Sequence, residues 1–143
     1  MSVRLLRVQR LLAVEVKRVA TAEQELAAAR RQASMRQDAL RNAERARSAA
    51  YTRWLDVVSV DELAQASAHR SVLEARVAAA VAAAAEGDAE VRVRHVAVVA
   101  ARTAERRMEI LIEGIERAQT ALAGKAERRL ADEHASRMSA RTR

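Results

Sequence analysis

Three histidines are the side chains of this sequence best suited to metal binding or to proton transfer near neutral pH. His69, His95 and His134 lie 26 and 39 residues apart, and no carboxylate accompanies them at a spacing that recurs. A zinc site needs three or four ligands at short, regular intervals, and the chain has no cysteine to supply one. The sequence therefore predicts no metal site and no cofactor.

The carboxylates and glycines are equally poor in catalytic patterns. Glu15 and Glu23 lie among arginines at helical spacing, where such pairs are solvated and worth at most a few tenths of a kcal/mol. The three glycines are isolated, so no glycine-rich phosphate loop is present. We therefore predict that the chain is not an enzyme and has no catalytic residues.

Arginine is the remaining chemically distinctive residue, since only Lys17 and Lys125 among the 26 cationic side chains are lysine. Its guanidinium group forms forked hydrogen bonds to carboxylates and phosphates. Acidic residues are interspersed with the arginines, however, and aromatic platforms for stacking nucleic-acid bases are missing. We expect no nucleic-acid partner, and a basic DNA-compacting protein ranks third, after the two interpretations given below.

The elements that carry these side chains follow from a seven-residue repeat. Apolar residues recur every seventh position over about eight heptads, with a second, alanine-rich stripe three residues further on. The two stripes are Leu5, Leu12, Val19, Leu26, Ala33, Leu40, Arg47 and Trp54, and Val8, Glu15, Ala22, Ala29, Arg36, Ala43 and Ala50. Such a 3.5-residue period is typical of a helix in a left-handed coiled coil.

The stretch 56–59 interrupts this pattern, and Ser59 with Glu62 reads as a capping box that starts a second helix. We predict a first helix over about residues 3–55, a turn at about 56–59 and a second helix over about 60–138. Gly87 in the second helix leaves open either a continuous helix or a kink, because glycine costs about 1 kcal/mol in a helix interior.

A short connection folds two long helices back on each other. The predicted fold is all-α: one domain, residues 1–143, forming an antiparallel coiled-coil hairpin whose C-terminal helix is the longer. With the turn centred near residue 58, Leu40 would face Val77 and Leu26 would face Val91. Arg47 would pair with Asp61 or Glu62, or set the register.

The charge distribution and the hydropathy of the sequence limit where in the cell this hairpin can lie. Residues 54–90 carry a net charge of about −5, whereas residues 1–20 and 125–143 carry about +4 and +3. This pattern predicts an acidic tip and a basic open end. The uncharged apolar run 77–85 is far shorter than the ~20 residues of a membrane span, and the early arginines exclude a signal peptide. We therefore expect a cytoplasmic protein without direct membrane insertion.

Three stretches carry a resemblance to a known family. They are the leucine-rich opening LLRVQRLLAVEV at 5–16, the aromatic YTRW at 51–54, and the tail ERRLADEHASR at 127–137. With the predicted hairpin, they resemble the FliJ/YscO-like stalk proteins of flagellar and type III secretion systems. The family often has further aromatics early in the second helix, where this chain has Leu63, His69 and Leu73 instead.

The resemblance implies a non-enzymatic central stalk or adaptor of a type III protein export apparatus. Such a stalk inserts into the hexameric secretion ATPase, promotes its assembly, and links it to the export-gate membrane protein at the cytoplasmic face. Secretion chaperones are further implied partners. The implied ATPase contacts are Arg4, Leu5, Arg7, Arg128, Arg129, Asp132, Glu133 and Arg137. The implied gate contacts are Tyr51, Trp54, Leu63 and Leu73.

A generic coiled-coil scaffold or secretion chaperone is the alternative interpretation. It would self-associate through the apolar stripe of Ile115, Leu122 and Ala126 on the part of the second helix that extends past the first. The sequence distinguishes neither a flagellar from an injectisome system nor the orientation of the hairpin in a complex.

Overall fold

The computed structural model describes residues 3–141 and contains two α-helices in that range. Helix α1 spans Val3–Trp54 and helix α2 spans Val60–Arg141. The helices pack against each other, and α2 is the longer, with 82 residues against 52. The predicted all-α, two-helix fold is confirmed. Neither helix contains a stretch long and apolar enough to cross a membrane.

Contacts between the helices group the chain into two compact units, each built from a segment of α1 and a segment of α2. Unit 1 consists of Met1–Val19 and Ala100–Arg143, and unit 2 consists of Ala20–Val99. Unit 2 therefore contains the connection between the helices. Unit 1 contains the beginning of α1 and the end of α2.

The α1 side of the core in each unit comes from the predicted heptad stripes. All fifteen stripe positions on α1 are buried or half-buried. The most buried apolar side chains are Leu5 and Val8 in unit 1, and Leu26, Ala29, Ala33, Ala50, Leu73, Val77, Ala84 and Val98 in unit 2. Alternating leucine or valine with alanine makes this core thin, because alanine lets the helix backbones approach closely.

The pairing of the helices in unit 2 differs from the predicted one by about one helical turn. Gly87 lies against Ala33, whereas the predicted register placed Ala83 opposite Ala33. A leucine and alanine pattern repeats almost unchanged after a shift of one turn, because residues four apart share a face. Apolar periodicity alone therefore could not distinguish the two registers.

The connection between the helices is closed by the predicted capping box. The backbone N–H of Glu62 donates to Ser59 Oγ at 3.2 Å, and the Ser59 N–H donates to Glu62 Oε2 at 3.3 Å. The Val58 N–H donates to the same carboxylate oxygen at 3.1 Å. At the end of α1, the Asp56 N–H donates to the Arg53 carbonyl oxygen at 3.2 Å. The connection 55–59 is thus held by its own hydrogen bonds.

Helix α2 continues through Gly87, where its backbone approaches α1 closely. A Cβ atom at this position would lie 3.2 Å from both Ala33 Cα and Arg36 Cδ, so a side chain here would push against the α1 backbone. A Cβ atom at Gly124 would meet nothing within 4 Å. Both glycines are helical, and only the space around them differs.

Replacing Gly87 should therefore weaken the packing of unit 2. We expect Gly87→Leu to lower the free energy of unfolding by about 1–3 kcal/mol, the usual range for an overpacked core. Gly124→Leu is the matched control and should be neutral or stabilising, because it gains helix propensity without a clash. Urea unfolding followed by circular dichroism measures both. Equal effects of the two substitutions would contradict the close approach at Gly87.

Candidate protein–protein interaction surfaces

The net charge of the chain lies entirely in unit 1. Unit 1 contains 15 lysines and arginines against 8 aspartates and glutamates, whereas unit 2 contains 11 of each. The formal charge of +7 is thus a property of one unit. A surface with this excess attracts acidic partners over a Debye length of about 8 Å at physiological salt.

The acidic stretch of the sequence, residues 54–90, is balanced in charge by other residues of unit 2. Two of its carboxylates on α2 pair with arginines of α1. Arg36 Nη1 lies 3.9 Å from Glu86 Oε2, and Arg47 Nη1 lies 3.3 Å from Glu74 Oε2. Charges that are separated along the sequence therefore neutralise each other across the helix pair.

An aromatic cluster lies next to the connection. The rings of Tyr51 and Trp54 contact edge to face, with centroids 4.9 Å apart. His69 makes a similar contact with Trp54 at 6.0 Å, and the Arg70 guanidinium lies 5.3 Å from the centroid of the Tyr51 ring. Tyr51 and Trp54 are half-buried, so each ring packs within unit 2 and also keeps an exposed part.

A polar group borders this cluster and includes the arginine of the heptad seam. Arg47 Nη1 donates to Glu74 Oε2 at 3.3 Å, so the predicted pairing of Arg47 with Asp61 or Glu62 is wrong. The hydroxyl of Tyr51 donates to the other oxygen of the same carboxylate. Arg47 lies about two turns before the end of α1, so its partner in an antiparallel pair lies several turns into α2 and not in the first turn.

The surroundings of Glu74 change its acidity. The hydrogen bond from Tyr51 holds the pKa of the Glu74 carboxyl below its ordinary value, and partial desolvation opposes this shift. The hydrogen bond and the positive charge of Arg47 lower the pKa further. Both partners favour the carboxylate form, which is the form that links the two helices.

The residues predicted to contact the export gate fall into two groups. Leu63 is 61% exposed and, with the exposed parts of Tyr51 and Trp54, offers surface to a partner. Leu73 is 4% exposed and packs in the core of unit 2. Leu73 therefore supports the helix pair and presents almost no surface.

The residues predicted to contact the ATPase all lie in unit 1. Leu5 is buried there and holds α1 against α2. The remaining side chains are exposed: Arg4 and Arg7 on α1, and Arg128, Arg129, Asp132, Glu133 and Arg137 on α2. Every position from 120 to 140 except Gly124 is exposed. This segment of α2 therefore offers nearly all of its surface to other molecules.

The structure contains an open groove in unit 1, which lies along the apolar stripe of Ile115 and Leu122 noted in the sequence. It has a volume of about 530 Å³, and its apolar lining includes Ile110, Leu111, Ile115 and Leu122. The sequence indicates this exposed surface, because the apolar stripe of α2 continues past the last α2 residues that pack against α1.

The network around Glu74 generates a pH dependence. Its lowered pKa means that the carboxylate stabilises the folded chain above the ordinary glutamate pKa, and that this contribution is lost as pH falls through the lowered value. We expect Glu74→Gln to have a lower melting temperature than the wild type at pH 7. This difference in melting temperature should become smaller as the pH falls towards 3. Thermal unfolding between pH 3 and 7 measures this. Tyr51→Phe should show the same pH dependence. A difference in melting temperature between variant and wild type that stays constant from pH 3 to 7 would contradict the role of the Glu74 carboxylate.

Comparisons with known proteins agree with the predicted resemblance. The family model described as flagellar FliJ protein matches residues 4–143, which is essentially the whole chain. Searches of curated proteins and of solved structures found no match. The family match rests on the sequence, and the two packed helices with the longer α2 agree with the fold that the resemblance implied. The chain therefore belongs to the FliJ family of flagellar proteins.

Proposed function

We propose that this protein is a non-enzymatic central stalk of a type III export apparatus, acting at the cytoplasmic face of the membrane. In this role it inserts into the hexameric secretion ATPase, promotes ring assembly and links the ring to the export-gate membrane protein. Membership of the FliJ family supports an export role. The observation that carries the finer proposal is the confinement of the whole net charge to unit 1.

Unit 1 is the part that we assign to the ATPase. Its exposed arginines, including Arg4, Arg7, Arg128, Arg129 and Arg137, suit an acidic ring lumen. Arginine forms forked hydrogen bonds with carboxylates, so it gives both attraction and orientation. Asp132 and Glu133 interrupt the basic surface and would select against partners that are uniformly acidic.

Unit 2 is the part that we assign to the export gate. Because its formal charge is balanced, contact there depends on apolar and aromatic surface more than on net charge. Leu63 and the exposed parts of Tyr51 and Trp54 provide such surface close to the connection. Secretion chaperones remain further proposed partners of the same protein.

Addition of the protein to the secretion ATPase from the same genome tests this proposal. We expect less than one chain per ATPase monomer to promote hexamer formation in light scattering and to raise the rate of ATP hydrolysis. The double substitution Arg129→Glu with Arg137→Glu should weaken this effect by about tenfold or more at low salt, since charge-paired contacts at interfaces are commonly worth over 1 kcal/mol.

Arg76→Glu is the matched control, because Arg76 is an exposed arginine of α2 that lies in unit 2. It should leave stimulation unchanged. No stimulation by the wild-type chain at low salt would overturn the stalk proposal. Concentration-dependent self-association instead would favour the scaffold alternative, for which the exposed Leu122 is the supporting observation.

A further inference from the structure

The side of helix α2 that faces away from α1 in unit 2 is apolar. Residues 77–85 contain no charged or polar side chain, although only Val77 and Ala84 among them are fully buried. On the opposite side of the helix, Val93 is 62% and Val96 is 67% exposed. A helix that is apolar on all sides is usually buried on all sides. This outward face consists of residues three or four positions apart: Ala78, Ala82, Ala85, Ala89, Val93 and Val96.

Composition alone does not explain the outward face. In unit 2 the corresponding side of α1, away from its seam, carries Arg31, Asp38 and Arg45 at seven-residue intervals. All three of these side chains are exposed. The same alanine- and arginine-rich chain therefore places charges on the solvent side of α1 and omits them from the outward face of α2.

The charges around the outward face select neither an acidic nor a basic partner. Residues 75–99 carry three arginines and three carboxylates, and unit 2 as a whole carries 11 basic and 11 acidic residues. The positive excess of the chain belongs to unit 1 and lies outside this face. A second copy of unit 2 is therefore not repelled by net charge.

The outward face is complementary to itself when two copies run antiparallel. We place Ala89 opposite Ala89 of the second copy, at the twofold axis. Val93 then shares a level with Ala85 of the second copy, and Val96 shares a level with Ala82. By symmetry each of these pairs occurs twice, so every valine lies beside an alanine and the two backbones can approach closely.

The charged residues at the edges of the outward face fit the same arrangement. Arg92 comes within about 3 Å, measured along the helix axis, of Asp88 on the same side of the second copy. Arg92 forms no ion pair with a described residue of its own chain, and Asp88 accepts a hydrogen bond from Gln37 through only one carboxylate oxygen. At the other edge, the two Glu86 side chains lie about 9 Å apart along the axis. Each Glu86 keeps Arg36 of its own chain at 3.9 Å.

We propose that the outward face of α2 packs against the same face of a second copy in an antiparallel dimer. The face extends over about 27 Å of helix. Two such faces with their flanking side chains bury on the order of 1,000 Å², which is the lower limit for a stable interface. We therefore expect a dissociation constant of about 1–100 µM. This inference goes beyond the proposed function, because none of the residues assigned to the ATPase or the export gate lies on the outward face.

Sedimentation of the full-length chain over about 1–300 µM tests the proposal. We expect the average mass to rise from that of a monomer to that of a dimer. Val93→Glu should raise the dissociation constant at least about tenfold, because it would bury a carboxylate against apolar side chains. Val72→Glu is the matched control, since Val72 is a 50% exposed valine of α2 that lies outside the outward face. Circular dichroism confirms that both variants keep their helices.

Cysteine cross-linking tests the orientation of the two copies. The chain has no cysteine, so a single introduced thiol reports one contact. Ala89→Cys should give a disulfide-linked dimer with a mild oxidant, because the two positions face each other at the twofold axis. Ala78→Cys lies on the same face and should remain monomeric under the same conditions. In the antiparallel arrangement its two thiols are about 33 Å apart, whereas in a parallel dimer they would meet.

Four results would overturn the proposal. They are a monomer over the whole concentration range, a dimer that Val93→Glu leaves intact, a dimer that Leu122→Gln dissociates, and cross-linking of Ala78→Cys as efficient as that of Ala89→Cys. Binding of the chain to phospholipid vesicles that Val93→Glu abolishes, without a dimer, would identify a membrane surface as the occupant instead. Because no ATPase is present, these outcomes are separate from those of the stimulation assay.

Discussion

The close approach of two alanine-rich helix faces is the constraint on which the structure of unit 2 depends. Alanine buries little apolar area per residue, so stability is spread over many small contacts along the seam. Close packing also makes the seam intolerant of added volume, and Gly87 against Ala33 is the tightest example described. Arg36 uses the same proximity to donate to the Ala83 carbonyl oxygen at 3.3 Å.

Charged side chains at the edges of the seam add specificity to this packing. Exposed ion pairs contribute little free energy, commonly less than about 1 kcal/mol each. Their positions nevertheless differ between registers, whereas the apolar stripes look alike after a shift of one turn. The pairs of Arg94 with Glu25 and of Arg47 with Glu74 are satisfied in the observed register. Ion pairs between the helices therefore help to fix the register of unit 2.

The sequence predicted the features that depend on local order along the chain. Heptad spacing identified the buried face of α1, and the Ser59 and Glu62 pattern identified the start of α2. Features that depend on the helix pairing were harder to predict. The partner of Arg47, for example, is Glu74 and not Asp61 or Glu62 of the first turn of α2. The exposed apolar stripe at Ile115 and Leu122 was noted in the sequence, but its shape as a groove with Arg4 of α1 at its edge required the structure.

The five-residue connection 55–59 has a consequence for how the chain folds. The contact of Tyr51 with Glu74 closes a loop of 23 residues, whereas the contact of Glu25 with Arg94 closes one of 69. Tripling the loop length raises the entropic cost of closure by about 1 kcal/mol. Contacts nearest to the connection therefore form at the lowest cost, and each one shortens the loop that the next must close. Pairing of the helices is thus favoured to begin beside the capping box and to proceed outward, as a zipper closes from its fixed end.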